Sequence, residues 1–276
     1  MNELVSIEWL SENLNNKDLI LLDASLQSTS NEKQSKYHLK TIPGASFFDL
    51  KGTFSNKNSS FPNTLPSEAN FEIECQKLGI NKNSNIVVFD NLGIYSSPRV
   101  WWMFKIMGHE KICVLDGGIP EWRNKKHTVK NRNNEIYKLG DFKANLQKQF
   151  IKPYQDVLEN LKSKSFNIID ARSEGRFKGI EKEPRINLKS GHIPNSINIP
   201  YKDVLDNGKF KNQIELKQIF DNKCTDSKDL VFSCGSGLTA CIVMLASELA
   251  FKKSRFIYDG SWTEWAELQN LKVNVV

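Results

Sequence analysis

Cys234 stands among residues whose types and spacing could produce a reactive thiol. The surrounding sequence, DLVFSCGSGLTACIVML, predicts a buried strand that ends just before the cysteine. Gly235 and Gly237 then allow a tight turn, and a helix is expected to begin near Leu238 or Thr239. Backbone N–H groups of such a loop, together with the positive end of the helix, would surround the sulfur and favour the thiolate. Cys234 is therefore predicted to be a nucleophile.

The sequence argues against phosphatase chemistry and a metal site, and it leaves a cysteine protease as an alternative. A cysteine-dependent phosphatase needs an arginine six residues after the nucleophile, and Ala240 occupies that position. A cysteine protease needs a histidine base, for which the candidates are His38, His109, His127 and His192. Only His192 lies in the same part of the chain, where a structural role is the more common one, so a Cys–His dyad stays an alternative. Histidines and cysteines never occur at metal-ligand spacing, and neither a metal nor a cofactor is predicted.

An internal repeat organises the chain around this segment. Four pairs of segments match in the same order: LILLDAS (19–25) with FNIIDAR (166–172), TIPGASFFDL (41–50) with HIPNSINIPY (192–201), NIVVFD (85–90) with DLVFSC (229–234), and LDGGIPEW (115–122) with YDGSWTEW (258–265). The offsets run from 143 to 151 residues. The sequence therefore predicts two copies of one domain of about 130 residues. Asp90 takes the place of Cys234 in the first copy, which is accordingly expected to be non-catalytic.

The elements predicted within the second copy would place the cysteine at the end of a strand of a parallel sheet. Short apolar runs alternate with helical patterns, which indicates an α/β fold in which a mainly parallel sheet carries helices on both faces. The second copy is expected to have strands at NIID, SINIP, DLVFS and RFIYD, and helices at YQDVLENLKS and TACIVMLASELAF. The predicted organisation is a domain at 1–139, a polar linker at 140–149 and a domain at 150–276. Residues 54–70 are predicted to be a surface loop that serves as a plain connection.

Composition and charge exclude several other classes of protein. The 276 residues are 39% hydrophobic and 25% charged, as in ordinary globular proteins, and no apolar run approaches the length of a membrane span. The net charge of +6 is spread along the chain, which argues against a nucleic-acid partner. The five cysteines are odd in number and lack a Cys-x-x-Cys pair, so they are expected to be reduced, with Cys75, Cys113 and Cys241 in the core. The acidic start MNELVSIEWLSEN is unlike a signal peptide, and a cytoplasmic location is expected.

These motifs resemble a known family. CGSGLTA, SGHIP and YDGSW in the second copy, with LLDAS, IPGASFFDL, PRVWWMF and LDGG in the first, are similar to the two-domain sulfurtransferases of the rhodanese family. The resemblance covers essentially the whole chain and implies two tandem rhodanese-like domains. In that family the loop after the cysteine separates two subclasses: CGSGVT is typical of enzymes that use 3-mercaptopyruvate, and CRKGVT of enzymes that use thiosulfate. Gly235 and Ser236 place this chain with the first subclass.

The resemblance also implies roles for individual residues. The stretch DARSEGRFKGIEKEPR resembles the family segment whose two arginines bind the keto acid, here Arg176 and Arg185. Cys234 and Ser236 are expected to be catalytic, and the remaining loop residues, Gly235, Gly237, Leu238 and Thr239, are expected to contact substrate. Sulfur would pass from 3-mercaptopyruvate to Cys234 as a persulfide, and then to thioredoxin, another thiol or cyanide. Arg172 is expected to brace the fold through Asp170 or a neighbouring carboxylate.

Two alternatives and one departure accompany this resemblance. The alternatives are a thiosulfate sulfurtransferase and a catalytically silent rhodanese-like module that docks another protein. A relay from a histidine and an aspartate of the first copy to the loop serine has been proposed for the family. Here Thr41 precedes IPGA where a histidine is common, and residues 28–36 contain no aspartate. Without that relay, either Ser236 and the loop dipoles are expected to activate Cys234, or the substrate thiol is expected to lose its proton to water or to Ser236 itself.

Overall fold

The computed structural model of the chain describes residues 2–26, 35–37, 39–132, 137–186 and 188–273. The chain divides into two compact units, each of which includes a short segment from the other half of the sequence. Unit 1 comprises 1–57, 65–147 and 207–210, and unit 2 comprises 58–64, 148–206 and 211–276. The predicted domain boundaries stay a prediction, and His38 lies outside the described residues.

Unit 1 is built on a parallel sheet. Its strands are β1 (Leu4–Val5), β2 (Leu19–Asp23), β3 (Lys40–Thr41), β4 (Ser46–Phe47), β5 (Asn85–Phe89), β6 (Ile112–Leu115) and β7 (Lys130–Asn131). Its helices are α1 (Ile7–Asn13), α2 (Glu68–Lys77), α3 (Ser97–Ile106) and α4 (Gly118–Asn124). Five strands pair in the order β1-β6-β5-β2-β4, all parallel, while β3 and β7 form a separate antiparallel pair.

Helices cover both faces of this sheet because its strands are apolar on both sides. Leu21, Val87 and Cys113 belong to a buried cluster with Leu10 of α1 and Trp122 of α4. Successive side chains of a strand point to opposite faces of the sheet. The buried strand residues next to Leu21, Val87 and Cys113 therefore point to the opposite face from this cluster. On that side α3 packs against β5 and β6. The expected layered α/β arrangement is therefore confirmed for unit 1.

Residues 140–147, which are predicted to belong to the linker, pack within unit 1. Phe142 is fully buried, and its ring lies edge-on to those of Phe71 and Phe104. Its backbone N–H donates to the carbonyl of Ile80. The Phe142 ring, together with backbone hydrogen bonds such as those from Asn145 to Met107 and from Gln147 to Ile106, thus anchors this polar segment.

Unit 2 repeats the arrangement with four parallel strands. Its strands are β8 (Phe166–Asp170), β9 (Ile197–Asn198), β10 (Leu205–Asp206), β12 (Asp229–Ser233) and β13 (Arg255–Ile257), while β11 (Lys209–Phe210) belongs to unit 1. Its helices are a 3₁₀ turn (Lys148–Phe150), α5 (Tyr154–Ser163), α6 (Glu174–Phe177), α7 (Gln213–Lys223), α8 (Leu238–Ala250) and α9 (Ser261–Val273). The sheet order is β13-β12-β8-β9. Val157 of α5 and Trp265 of α9 pack with Ile168 and Val231 on one face, and α8 packs against β12 and β13. The strands and helices predicted for the second copy are confirmed.

Within the described ranges, no helix combines the length and the apolar character needed to cross a bilayer.

The loop after β5 in unit 1 is organised around the carboxylate of Asp90. One carboxylate oxygen, Oδ2, accepts the backbone N–H groups of Tyr95, Ser96 and Ser97 at 2.9–3.0 Å and the Ser97 hydroxyl at 2.7 Å. The other, Oδ1, accepts the N–H of Leu92 at 2.9 Å. Because Asp90 is fully buried, these donors replace the water that a carboxylate otherwise needs. The first copy thus contains its own anion in the loop that corresponds to the cysteine loop.

We predict that Asp90→Asn lowers the free energy of unfolding by about 3 kcal/mol, because an amide NH₂ placed against these N–H groups leaves donors buried without an acceptor. Urea titration at neutral pH measures the change. Asp221→Asn is the control, since Asp221 forms an exposed ion pair with Lys217 and the variant is expected to unfold like the wild type. Equal stability of Asp90→Asn and the wild type would contradict this view of the loop.

Candidate active site

Cys234 lies at the carboxyl end of β12, as predicted from the sequence. The residue is 2% exposed. Gly237, at a φ of 81°, occupies the left-handed region that glycine adopts without strain and forms the N-cap of α8. The loop from Cys234 to Gly237 therefore turns sharply from strand to helix, and α8 begins at Leu238 as predicted.

The first turn of α9 holds the carbonyl groups of this loop. The backbone N–H of Trp262 donates to the carbonyl of Cys234 at 2.9 Å, and that of Thr263 donates to the carbonyl of Gly235 at 3.2 Å. The Thr263 hydroxyl donates to the same Gly235 carbonyl at 2.6 Å. Because C=O and N–H point in opposite directions across a planar trans peptide, the N–H groups of Gly235 and Ser236 point away from α9.

These inner N–H groups are free for a ligand. Among the described residues, no protein acceptor takes the backbone N–H of Gly235 or of Ser236. In unit 1 the equivalent loop donates its N–H groups to Asp90. The loop in unit 2 contains a thiol at that position, so its donors can stabilise a negative charge on or near the Cys234 sulfur.

Ser261 fixes the backbone of Cys234 from a strained position. The N–H of Cys234 donates to the Ser261 hydroxyl oxygen at 3.2 Å, and that hydroxyl donates to the carbonyl of Tyr258 at 2.9 Å. Ser261 has a φ of 54°, and the residue at this position in the first copy, Gly118, has a φ of 50°. A β-carbon at Gly118 would lie 2.4 Å from the carbonyl oxygen of Asp90, so only glycine fits there. The second copy uses a serine in the same conformation and gains a hydrogen bond to the nucleophile's backbone.

A buried ion-pair network connects Arg172 to Arg176 through Glu183. Arg172 donates from Nε and Nη2 to Asp170 and from Nη1 to Glu183, and its guanidinium lies over the Trp262 ring. The bracing role expected for Arg172 is therefore confirmed. Glu183, whose side chain is fully buried, also accepts from Arg176 through Nη2 at 2.6 Å and Nε at 3.2 Å. One carboxylate thus holds both guanidinium groups.

Arg176 and Arg185 both lie beside the cysteine loop. A β-carbon at Gly235 would lie 2.9 Å from Nη2 of Arg176, so the guanidinium occupies the space that a side chain would need. Arg185 donates from Nη1 to the Thr263 hydroxyl at 3.0 Å. Burial lowers the pKa of Arg185, and the negative charge of a Cys234 thiolate opposes that effect. Among the described residues no protein acceptor takes Nη1 of Arg176 or Nη2 of Arg185, which leaves donors for an anionic ligand.

Three of the other loop residues that are predicted to belong to the site differ in how deeply they are buried. Ser236 is 9% exposed and Leu238 is buried, while Thr239 is half-buried at the start of α8. The plain connection predicted for residues 54–70 is wrong in one respect: Asn63 donates from Nδ2 to the Ser236 hydroxyl oxygen at 2.9 Å. Its backbone belongs to the segment 58–64 of unit 2. No feature of the sequence points to this long-range contact.

The remaining cysteines and histidines lie in other surroundings. Burial raises the pKa of Cys113 to about 12 and that of Cys224 to about 11, and it also raises the pKa of Cys75. Cys241 is fully buried in α8 and faces the carbonyl of Gly237. These thiols stay protonated or enclosed at neutral pH.

His192 stacks on Phe177, and its Nδ1 lies 2.8 Å from the Phe177 carbonyl oxygen. Its ring is thus held by α6, which supports the structural role over a Cys–His dyad. His109 and His127 belong to unit 1, where they contact the Ser84 carbonyl and the Trp122 ring. In the part of the chain that the structure describes, no cluster of three or more His, Cys, Asp or Glu side chains could hold a metal ion.

Known proteins share both the repeat and the fold. The sequence matches the rhodanese-like domain family twice, over residues 6–125 and 154–268. It is 40% identical to the 3-mercaptopyruvate sulfurtransferase of Mus musculus over 272 residues, which cover 95% of this chain and 91% of that protein. It is 41% identical to the thiosulfate sulfurtransferase of Cricetulus griseus, with the same coverage.

A solved structure gives the same result for the fold. SseA from Escherichia coli, described as a 3-mercaptopyruvate sulfotransferase with the rhodanese fold, aligns with a TM-score of 0.84 at 31% identity. The alignment covers 95% of this chain and 99% of SseA. The similarity therefore extends over both units.

We predict that glycine is better tolerated than alanine at position 261. Ser261→Ala and Ser261→Gly both lose the hydrogen bond to Cys234. Alanine is strained in the left-handed backbone conformation and glycine is not, so the free energy of unfolding of Ser261→Ala should be about 1 kcal/mol lower than that of Ser261→Gly. Chemical denaturation compares the two. The matched control is Glu267, an exposed position in the same helix, where the order should reverse because alanine is the better helix former. If alanine is also preferred at position 261, the strain does not matter there.

Proposed function

The chain belongs to the rhodanese family, and from this premise we propose that it is a sulfurtransferase that takes sulfur from 3-mercaptopyruvate. One observation carries the proposal: beside two guanidinium groups, the N–H groups of Gly235 and Ser236 have no acceptor among the residues that the structure describes. A loop of this kind stabilises an anionic sulfur, and the guanidinium groups suit a carboxylate next to a carbonyl. The names of the mouse relative and of SseA agree with this donor.

The first half-reaction moves one sulfur atom to Cys234. The Cys234 thiolate attacks the sulfur of 3-mercaptopyruvate, forming an S–S bond. The C–S bond breaks, and its electron pair leaves with the carbon as the enolate of pyruvate. Protonation at carbon gives pyruvate, the substrate thiol loses its proton, and the enzyme retains a persulfide anion. The inward N–H groups of the loop stabilise that anion, with the hydroxyls of Ser236 and Thr239 as further donors.

The arginines bind the part of the substrate that does not become the persulfide. Arg176 offers Nη1 and Arg185 offers Nη2, and each charge-assisted hydrogen bond is worth about 1.5–3 kcal/mol. These donors would hold the carboxylate and the carbonyl oxygen of 3-mercaptopyruvate. The same carbonyl oxygen carries the negative charge of the enolate, so the contact strengthens as the C–S bond breaks.

The second half-reaction returns the thiolate. A thiol or cyanide attacks the outer sulfur of the persulfide, and Cys234 leaves as the thiolate. Cyanide gives thiocyanate, and a thiol such as that of thioredoxin gives a new persulfide. The scheme is ping-pong because pyruvate leaves before the acceptor reacts.

Thiosulfate is the second candidate donor, since the hamster relative has that name and a similar identity. Thiosulfate is a dianion, and a positive side chain within the loop would favour it. Gly235 and Ser236 supply no such charge, and the space beside Gly235 is already filled by Arg176. The loop therefore favours 3-mercaptopyruvate.

We predict a strong preference for 3-mercaptopyruvate over thiosulfate when both are assayed with cyanide as acceptor. Cys234→Ser should abolish turnover with either donor, because an alcohol does not form the persulfide under these conditions. Mass spectrometry after addition of 3-mercaptopyruvate alone should show an added mass of about 32 Da, one sulfur atom, on Cys234. A preference for thiosulfate would contradict the donor assignment. Absence of activity with both donors, and of the added mass, would instead support a silent docking module.

We predict that Glu183→Gln raises KM for 3-mercaptopyruvate about tenfold and changes kcat less. The amide retains one oxygen but turns an NH₂ toward a guanidinium, so Arg176 loses one of its two bonds and its fixed orientation. Steady-state kinetics on protein with a native melting temperature measures this. Glu181→Gln is the control, since Glu181 is exposed and, among the described residues, its carboxylate accepts only from the Ser173 hydroxyl. An unchanged KM would show that Arg176 does not bind the donor.

A further inference from the structure

Asn63 contacts the cysteine loop from a distant part of the sequence. Its Nδ2 lies 2.9 Å from the hydroxyl oxygen of Ser236 and 3.4 Å from the Ser236 carbonyl oxygen. The segment 58–64 that supplies Asn63 belongs to unit 2, together with the loop itself. The contact is therefore internal to one compact unit.

The chemistry of the contact determines its direction. A carbonyl oxygen can only accept a hydrogen bond, so the Asn63 atom that faces both Ser236 oxygens must be the amide nitrogen. Asn63 has a φ of 60°, in the left-handed region where asparagine is tolerated better than most side chains. The backbone thus adopts an uncommon conformation at the residue that reaches Ser236.

This bond leaves the hydroxyl hydrogen of Ser236 free to point elsewhere. The Asn63 amide occupies one lone pair of the oxygen, and an oxygen that accepts a hydrogen bond becomes a better donor. Within the described chain, the Ser236 hydroxyl donates to no protein acceptor, although the residue is only 9% exposed. The free hydrogen lies in the same loop as the Cys234 sulfur.

We infer that Asn63 is a positioning residue that presents the Ser236 hydroxyl as a hydrogen-bond donor to the anionic sulfur on Cys234. This inference rests on the proposed sulfur transfer and specifies the role of Ser236 within it. An amide group acts as neither an acid nor a base at neutral pH, so the Asn63–Ser236 pair is not a proton relay. Ser236 then stabilises negative charge, and the substrate thiol loses its proton to water.

Glycine at position 63 removes the donor without adding charge or backbone strain. Asn63→Gly should lower kcat for 3-mercaptopyruvate about fivefold, the loss of one hydrogen bond, and leave KM nearly unchanged because the contact acts on the sulfur. Asn63→Asp has the same shape as asparagine and accepts the Ser236 hydrogen, so it should reduce kcat further. Asn195 is the matched control: it also has a positive φ, 65°, but is exposed, and Asn195→Gly should behave like the wild type.

A double-mutant cycle separates positioning from a general effect on structure. In a Ser236→Ala background the Asn63→Gly substitution should cause no further loss, because the hydroxyl through which Asn63 is inferred to act on the sulfur is already gone. If the two losses multiply instead, Asn63 does not act through Ser236 and the inference is wrong.

Alkylation of Cys234 by iodoacetamide distinguishes failure of this inference from failure of the proposed function, since it needs no sulfur donor. At pH 7, Asn63→Gly should slow the alkylation of Cys234 about fivefold when residue 236 is serine, as in the wild type. The same substitution should not slow alkylation in the Ser236→Ala variant. Such a result without turnover of 3-mercaptopyruvate would reject the donor and retain the role of Asn63. Equal alkylation rates for Asn63→Gly and the wild type would overturn the inference even if the donor is correct.

Discussion

Two hydrogen bonds from the first turn of α9 determine the direction of the peptide groups around Cys234. Because the carbonyls of Cys234 and Gly235 are bound by Trp262 and Thr263, the following N–H groups must face the opposite side. Those N–H groups, together with the Arg176 and Arg185 guanidinium groups beside the loop, give it its preference for an anion. The burial of Cys234 makes this matter more, since few water molecules can solvate a negative sulfur there.

The first unit tests this explanation within the same chain. The carbonyl of Asp90 accepts the N–H of Ile119, just as the carbonyl of Cys234 accepts that of Trp262. The hydrogen bond that orients the loop is therefore present in both copies, while the side chain inside the loop differs: a carboxylate in unit 1 and a thiol in unit 2. In unit 1 a carboxylate fixed to the chain satisfies the donors and no ligand is needed. In unit 2, no described protein group accepts the N–H groups of Gly235 and Ser236, which is the arrangement that a transient persulfide requires.

The sequence predicts the parts of this site that depend on local patterns. The strand before Cys234, the glycine turn and the start of α8 follow from periodicity and from the conformational freedom of glycine, and the structure agrees with each. A short motif predicts the roles of Arg172, Arg176 and Arg185. Only the structure shows that Glu183 forms ion pairs with the first two. Asn63 could not be predicted, because its contact spans 173 residues and depends on how a loop without regular structure folds onto unit 2.

The distribution of charge in unit 2 explains why three neighbouring arginines have different roles. Arg172 is fully buried, and its guanidinium is occupied by Asp170, Glu183 and the Gly191 carbonyl. Arg176 shares Glu183 and keeps part of its guanidinium open, whereas Arg185 is bound only by the Thr263 hydroxyl among the described side chains. The two carboxylates therefore neutralise two of the three positive charges. The remaining positive charge can be balanced by an anionic sulfur on Cys234, first as the thiolate and then as the persulfide anion, so the charge beside the loop stays the same when Cys234 takes up sulfur.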